Sequence, residues 1–130
     1  MDTFEKLEVW QEGKDLAVEI YRSFRSCRDY GFREQIQRAA VSIPANISEG
    51  LERNSPAECK NFMGFAKGSA GEVRTFLRLA EELELLDKNR AEKLREQAVR
   101  VSKKLHGFIL YLEKRFSLRR KFAPSLPPPA

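Results

Sequence analysis

Histidine occurs once in this 130-residue chain, as His106, and cysteine twice, as Cys27 and Cys59. The two thiols lie 32 residues apart and form no CxxC pair, so a zinc site is not expected. In a reducing compartment both read as core or near-surface thiols. One histidine leaves no HExxH helix, no Ser-His-Asp order and no local Cys-His pair. Hydrolytic and metal-assisted chemistry therefore have no visible machinery, and no cofactor is called for. No apolar run approaches the roughly 20 residues of a membrane-spanning helix. The opening Met1-Asp2-Thr3-Phe4-Glu5 lacks the basic and apolar regions of a signal peptide, so the cytoplasm is the expected compartment. Without such a signal the glycosylation-type triplet Asn46-Ile47-Ser48 carries no meaning.

What is present suits one small packed domain: 42% hydrophobic residues and 33% charged, in about one domain's length. The formal net charge is +5. Residues 112–121 hold Lys114, Arg115, Arg119, Arg120 and Lys121 against Glu113, a local +4, and residues 1–111 sum to +1. By this measure the body is nearly neutral and the C-terminal end basic. Such an end attracts phosphate-rich partners by counterion release. Alternatively, it is a solvated helix terminus whose cations complement the helix dipole.

Four segments carry helical spacing and none carries convincing strand alternation. The first runs from about Phe4 to Arg28, with Val9, Gly13, Leu16, Ile20, Phe24 and Cys27 in one stripe and Trp10, Ala17 and Tyr21 beside it. The second runs from about Gly31 to Leu51, and Pro44 predicts a kink or break inside it. Ser55-Pro56-Ala57-Glu58 predicts the next start, with Ser55 as N-cap, Pro56 at the first position and Glu58 completing a capping box. The third segment continues to about Leu86, on a seam of Phe62, Ala66, Ser69, Val73, Phe76, Ala80 and Leu83. Met63, Ala70 and Leu77 flank the seam on one side, and Phe65, Glu72 and Leu79 on the other. Asp87 caps a fourth segment reaching about Phe116, with Ala91, Leu94, Ala98, Val101, Leu105, Phe108 and Leu112 as its seam. The expected fold is all-α: an antiparallel up-down-up-down four-helix bundle over residues 1–118, followed by a basic, Pro-rich disordered tail over 119–130. Segments one and three have more apolar width than one partner covers, which points to a homo-oligomer.

Candidate functional residues are few. Gly64 to Gly71 resembles a phosphate loop only superficially, because Lys67 precedes Gly68 and the stretch lies inside a helical pattern. Its glycines are expected to permit close packing within the bundle or between subunits. Asn46, Glu49 and Glu72 fall at or near apolar positions. They read as a polar contact between segments two and three, or as groups at a subunit interface or cavity. A Glu49–Glu72 acid–base pair lacks any accompanying nucleophile or metal ligand. Lys60, Lys67 and Arg74 recur every seven residues and are expected to face solvent, either tracking a phosphate backbone or simply solvated. The PxxP spacing of Pro124-Ser125-Leu126-Pro127 reads as a loose terminus.

The run Tyr30-Gly31-Phe32-Arg33-Glu34-Gln35-Ile36-Gln37-Arg38-Ala39-Ala40-Val41-Ser42-Ile43-Pro44-Ala45-Asn46-Ile47-Ser48-Glu49-Gly50 carries a more specific signal. With Leu7-Glu8-Val9-Trp10-Gln11 before it and Ala66-Lys67-Gly68-Ser69 and Glu72 after it, the chain resembles bacterial four-helix-bundle proteins associated with intervening sequences in 23S ribosomal RNA genes. The resemblance spans roughly residues 4–116. It implies a bundle that assembles as a ring-like homopentamer without a known enzyme activity, with Arg38, Asn46, Glu49, Gly50, Gly68, Ser69 and Glu72 serving fold and assembly. A similar bundle in retroelement accessory proteins forms basic pentamers that bind a reverse transcriptase and nucleic acid, an analogy of fold only.

The expectation is a non-enzymatic oligomer that binds RNA or DNA, alone or in a ribonucleoprotein. Lys114, Arg115, Arg119, Arg120 and Lys121 would supply the contacts, helped by Lys60, Lys67 and Arg74. The rival expectation is a scaffold or accessory subunit for another protein, such as a reverse transcriptase or other polymerase.

Overall fold

The computed structural model describes residues 5 and 7–122, with side chains up to Arg115. Four helices follow one another: α1 (Glu8–Ser23), α2 (Tyr30–Leu51), α3 (Pro56–Glu82) and α4 (Lys88–Phe122), with no strand among the described residues. Their starts follow local chemistry. The Asp29 carboxylate accepts from the Phe32 N–H at 3.1 Å, Ser55 Oγ from the Glu58 N–H at 3.0 Å, and Asp87 from the Arg90 N–H at 3.1 Å. The Glu58 side chain does not complete the expected capping box; it lies 3.9 Å from Arg53.

Several boundaries differ from those the sequence predicts. α1 begins at Glu8 and ends at Ser23, because the fully buried Phe24 turns the chain and its carbonyl takes the Cys27 N–H. Pro44 does not break α2, which is continuous from Tyr30 to Leu51. Ile43 and Ile47, both fully buried, anchor the helix on either side of it. α3 stops at Glu82 in a Schellman turn: the Leu85 N–H reaches the Ala80 carbonyl, the Glu84 N–H reaches the Glu81 carbonyl, and Glu84 takes φ 59°. α4 runs on to Phe122, past the predicted end near Phe116 and into the segment read as a disordered tail. Leu118, Arg119, Arg120 and Lys121 are good helix formers, and the first proline downstream is Pro124. The remainder of that predicted tail, 123–130, lies outside the described residues.

Helices adjacent in sequence are adjacent in space, and α1 closes the square against α4; the diagonal pairs do not approach within 8 Å, Cα to Cα. Cross-helix partners descend one helix as they climb the next. From α3 to α4 they are Lys60–Glu113, Lys67–His106 and Glu81–Arg95. From α2 to α3 they are Phe32–Phe76, Ser42–Ser69 and Gly50 against Phe62 and Met63. The core is contributed by all four helices: Leu16, Ile20 and Phe24; Ile36, Ile43 and Ile47; Met63, Val73 and Leu77; Leu94, Val101 and Leu105 are all fully buried. Burying side chains of this size is worth about 1.5–3 kcal/mol each.

Two glycines sit at close approaches in this packing, Gly50 the tighter. A Cβ on Gly50 would lie 2.8 Å from Met63 Cε and 2.9 Å from Phe62 Cβ, and one on Gly13 would lie 3.1 Å from Ile43 Cγ2. The flanks of α3 also separate. Met63, Ala70 and Leu77 join the core, whereas Phe65, Glu72 and Leu79 face outward.

Candidate nucleic-acid interface

Charge is sorted by helix more sharply than by chain end. α4 carries twelve lysines and arginines against Glu92, Glu96 and Glu113, whereas residues 1–87 carry twelve cations against sixteen carboxylates. The body is therefore mildly acidic and one whole helix is basic. Counting charge over 112–121 alone hides this, because the cations from Lys88 to Lys104 are averaged with acids of other helices.

The α4 cations divide by direction. Arg90 reaches Glu19 and Ser23 on α1, Lys104 reaches Glu8 and Glu12 on α1, and Arg95 reaches Glu81 on α3 at 2.7 Å. These three tie the bundle together. The Arg95 hydrogen bond holds the Glu81 carboxyl below its ordinary range, against a smaller upward pull from desolvation. Lys93, Arg100, Lys103 and Lys114 are exposed and form no ion pair among the described residues. Lys93, Arg100 and Lys114 share a register of seven residues, spaced in multiples of about 10.5 Å along the axis. Gly107 occupies the vacant place in that register, with open space where a Cβ would stand. Lys121 continues the register on the helical backbone; the side chains of Arg119, Arg120 and Lys121 lie outside the described residues.

Tyr111 stands one turn beyond Gly107, half exposed. Arg115 donates to its hydroxyl at 2.9 Å, with the guanidinium carbon 5.7 Å from the ring centroid. The Phe108 ring lies 6.1 Å from the Tyr111 ring, centroid to centroid.

The cations expected on α3 are less free than their spacing suggests. Lys60 is 3.0 Å from Glu113, and Lys67 donates to His106 Nδ1 at 3.2 Å, so both lean onto α4 instead of projecting into solvent. Arg74 is exposed and, with Arg78 and Arg95, lines a shallow groove of about 460 Å³ between α3 and α4.

The polar residues expected to join α2 and α3 do not do so. Glu49 is exposed and paired with Arg53 at 2.8 Å, and Glu72 is exposed, so neither is a buried carboxylate. Asn46 is half-buried and donates to the Ser42 carbonyl of its own helix at 2.8 Å. The contact across the seam is instead made by the Ser42 and Ser69 hydroxyls. Arg38 is exposed beside Glu34 at 2.9 Å. Gly64, Gly68 and Gly71 have open space at the Cβ position, so they do not serve close packing within the bundle. Cys59 is buried, which raises its thiol pKa, and Cys27 is half-buried; both are free thiols. Among the described residues no cluster of three potential metal ligands occurs, and no helix is long and apolar enough to cross a membrane.

None of the curated proteins matches the chain. A solved structure from Bacteroides thetaiotaomicron, described as a protein of unknown function from the S23 ribosomal protein family, is 25% identical with a TM-score of 0.75. The match covers 78% of this chain and 97% of that one. The family model for the 23S rRNA-intervening sequence protein matches residues 5–107, and the chain belongs to that family.

Proposed function

We propose that this protein is a non-enzymatic, cytoplasmic four-helix bundle that binds nucleic acid, alone or within a ribonucleoprotein, through the outward face of α4. The observation that carries this reading is the row of Lys93, Arg100, Lys103 and Lys114, exposed and without carboxylate partners among the described residues. Cations in such a row position a phosphate backbone without reading its sequence. Arg119, Arg120 and Lys121 extend the same helix, and Lys60, Lys67 and Arg74 are secondary.

The descending order of cross-helix pairs supports an antiparallel up-down-up-down arrangement. A ring-like homo-oligomer, a homopentamer by resemblance, accords with the outward flank of α3. There Phe65 is 59% exposed and Leu79 43%, and Gly64, Gly68 and Gly71 leave the backbone bare. Repetition of α4 around a ring would turn weak phosphate contacts into tight binding.

The test is a titration of the full-length protein against structured RNA and duplex DNA over a range of salt, with solution mass recorded alongside. Replacing Arg100, Lys103 and Lys114 with alanine should flatten the log–log salt slope by about 3 and leave the mass unchanged. An unaltered slope would remove α4 from the interface. The same α3 flank also favours a second reading, a scaffold or accessory subunit for a protein such as a polymerase. Tight binding of that protein, indifferent to salt, would favour it.

A further inference from the structure

Gly107 is an unexpected residue for its place. It lies in the interior of α4, on the outward side, where glycine costs about 0.8–1.0 kcal/mol relative to alanine. Nothing in the bundle accounts for that cost, since a Cβ there would meet no atom within 4 Å. The residues around it are chemically specific. Lys103 is one turn before and Tyr111 one turn after, with Arg100 and Lys114 two turns away on either side. Leu110 is exposed at the same level. The bare backbone is therefore a notch along this face, with Lys103 one turn to one side and Tyr111 one turn to the other.

The Tyr111 ring is also held in place. Arg115 donates to its hydroxyl and holds its guanidinium over the ring, and Phe108 packs beside it, yet half of the residue remains exposed. A ring fixed before binding loses little freedom when a planar group stacks on it. A duplex keeps its bases stacked on one another and offers no free π-face; an unpaired strand does.

We propose that the Gly107 notch is a base-stacking site, in which one unpaired nucleobase packs on Tyr111 while the flanking phosphates meet Arg100, Lys103 and Lys114. This rests on α4 being the nucleic-acid face and narrows its ligand to single-stranded nucleic acid. No group at the notch is singled out to read a ribose 2′-hydroxyl, so RNA and DNA strands share the chemistry that is recognised.

The experiment uses the full-length protein with three probes: a short oligouridylate, the matching oligodeoxythymidylate, and an RNA duplex with the same number of phosphates. Single strands should bind about tenfold more tightly than the duplex, within the range that base–aromatic stacking produces. Tyr111→Ala should remove that difference without weakening duplex binding, and Tyr111→Phe should keep it. Gly107→Gln should also remove it while raising Tm, an outcome that a purely structural role for the glycine does not give. The two single-stranded probes separate the sources, and whichever binds should show the same dependence on Tyr111. Equal affinity for strand and duplex, both weakened by Lys103→Ala and Lys114→Ala but indifferent to Tyr111→Ala, would overturn the stacking site and leave the basic face standing. Failure to bind any probe at low salt would overturn both.

Discussion

The outward faces of α3 and α4, on neighbouring helices, leave different things unsatisfied. On α4 the residue is charge: Lys93, Arg100, Lys103 and Lys114 project without acidic partners among the described residues. On α3 it is apolar surface and missing side chains: Phe65 and Leu79 are exposed, and Gly64, Gly68 and Gly71 expose bare helix. The difference is energetic. A hydrated surface cation costs the isolated chain almost nothing, whereas exposed mid-helix glycines and a phenylalanine forgo stability that ordinary polar residues would supply. The α4 face suits a partner that brings negative charge and tolerates water. The α3 face suits a close protein surface that excludes it.

The most severe way to break this comparison is to fill the α3 face. On the proposed assembly, replacing Gly64, Gly68 and Gly71 together with alanine should reduce the solution mass toward the 15.0 kDa of one chain while leaving the proposed nucleic-acid contacts per chain intact. A retained mass with a higher Tm would mean that the face is bare and the glycines incidental. The inner edge of the same helix provides the contrast. Gly50→Ala drives a methyl into Phe62 and Met63 and should cost about 1–3 kcal/mol in urea unfolding. A neutral result there would show that α2 can move away from α3. The smallest effect is expected at the seam that separates the two faces. Arg95 depresses the Glu81 pKa in the folded state, so this pair adds stability above the unfolded glutamate value and loses it as pH falls through the folded one. Arg95→Leu should make the urea midpoint less dependent on pH between neutrality and the carboxylate range. An unchanged pH profile would show that the pair contributes nothing measurable.

Periodicity was sufficient to read the elements that pack. Ala66, Val73 and Ala80 on α3, and Leu94, Val101 and Leu105 on α4, are buried where their spacing places them, and Ser55 and Asp87 cap as their positions predict. The end of α4 was not readable in that way, because from Leu118 it continues on helix propensity without a core face. The partners of Lys60 and Lys67 were also hidden. Glu113 and His106 are distant in sequence, and only the α3–α4 seam brings them within reach. Glu72 looked internal because it falls between Phe65 and Leu79, but that entire flank turns outward. The basic face is legible in the sequence once charge is summed helix by helix, because twelve of the cations fall within α4 against three carboxylates.

The clasps between α1 and α4 have a consequence for how the molecule breathes. That seam is the thinnest of the four, and its named ties are ionic: Lys104 on Glu8 and Glu12, and Arg90 on Glu19. Mobile ions weaken such partly exposed pairs while hardly touching apolar contacts. α1 is therefore the element whose amides should exchange first with solvent, and more often as salt rises. Each such opening uncovers Leu16, Ile20 and Phe24 for as long as it lasts.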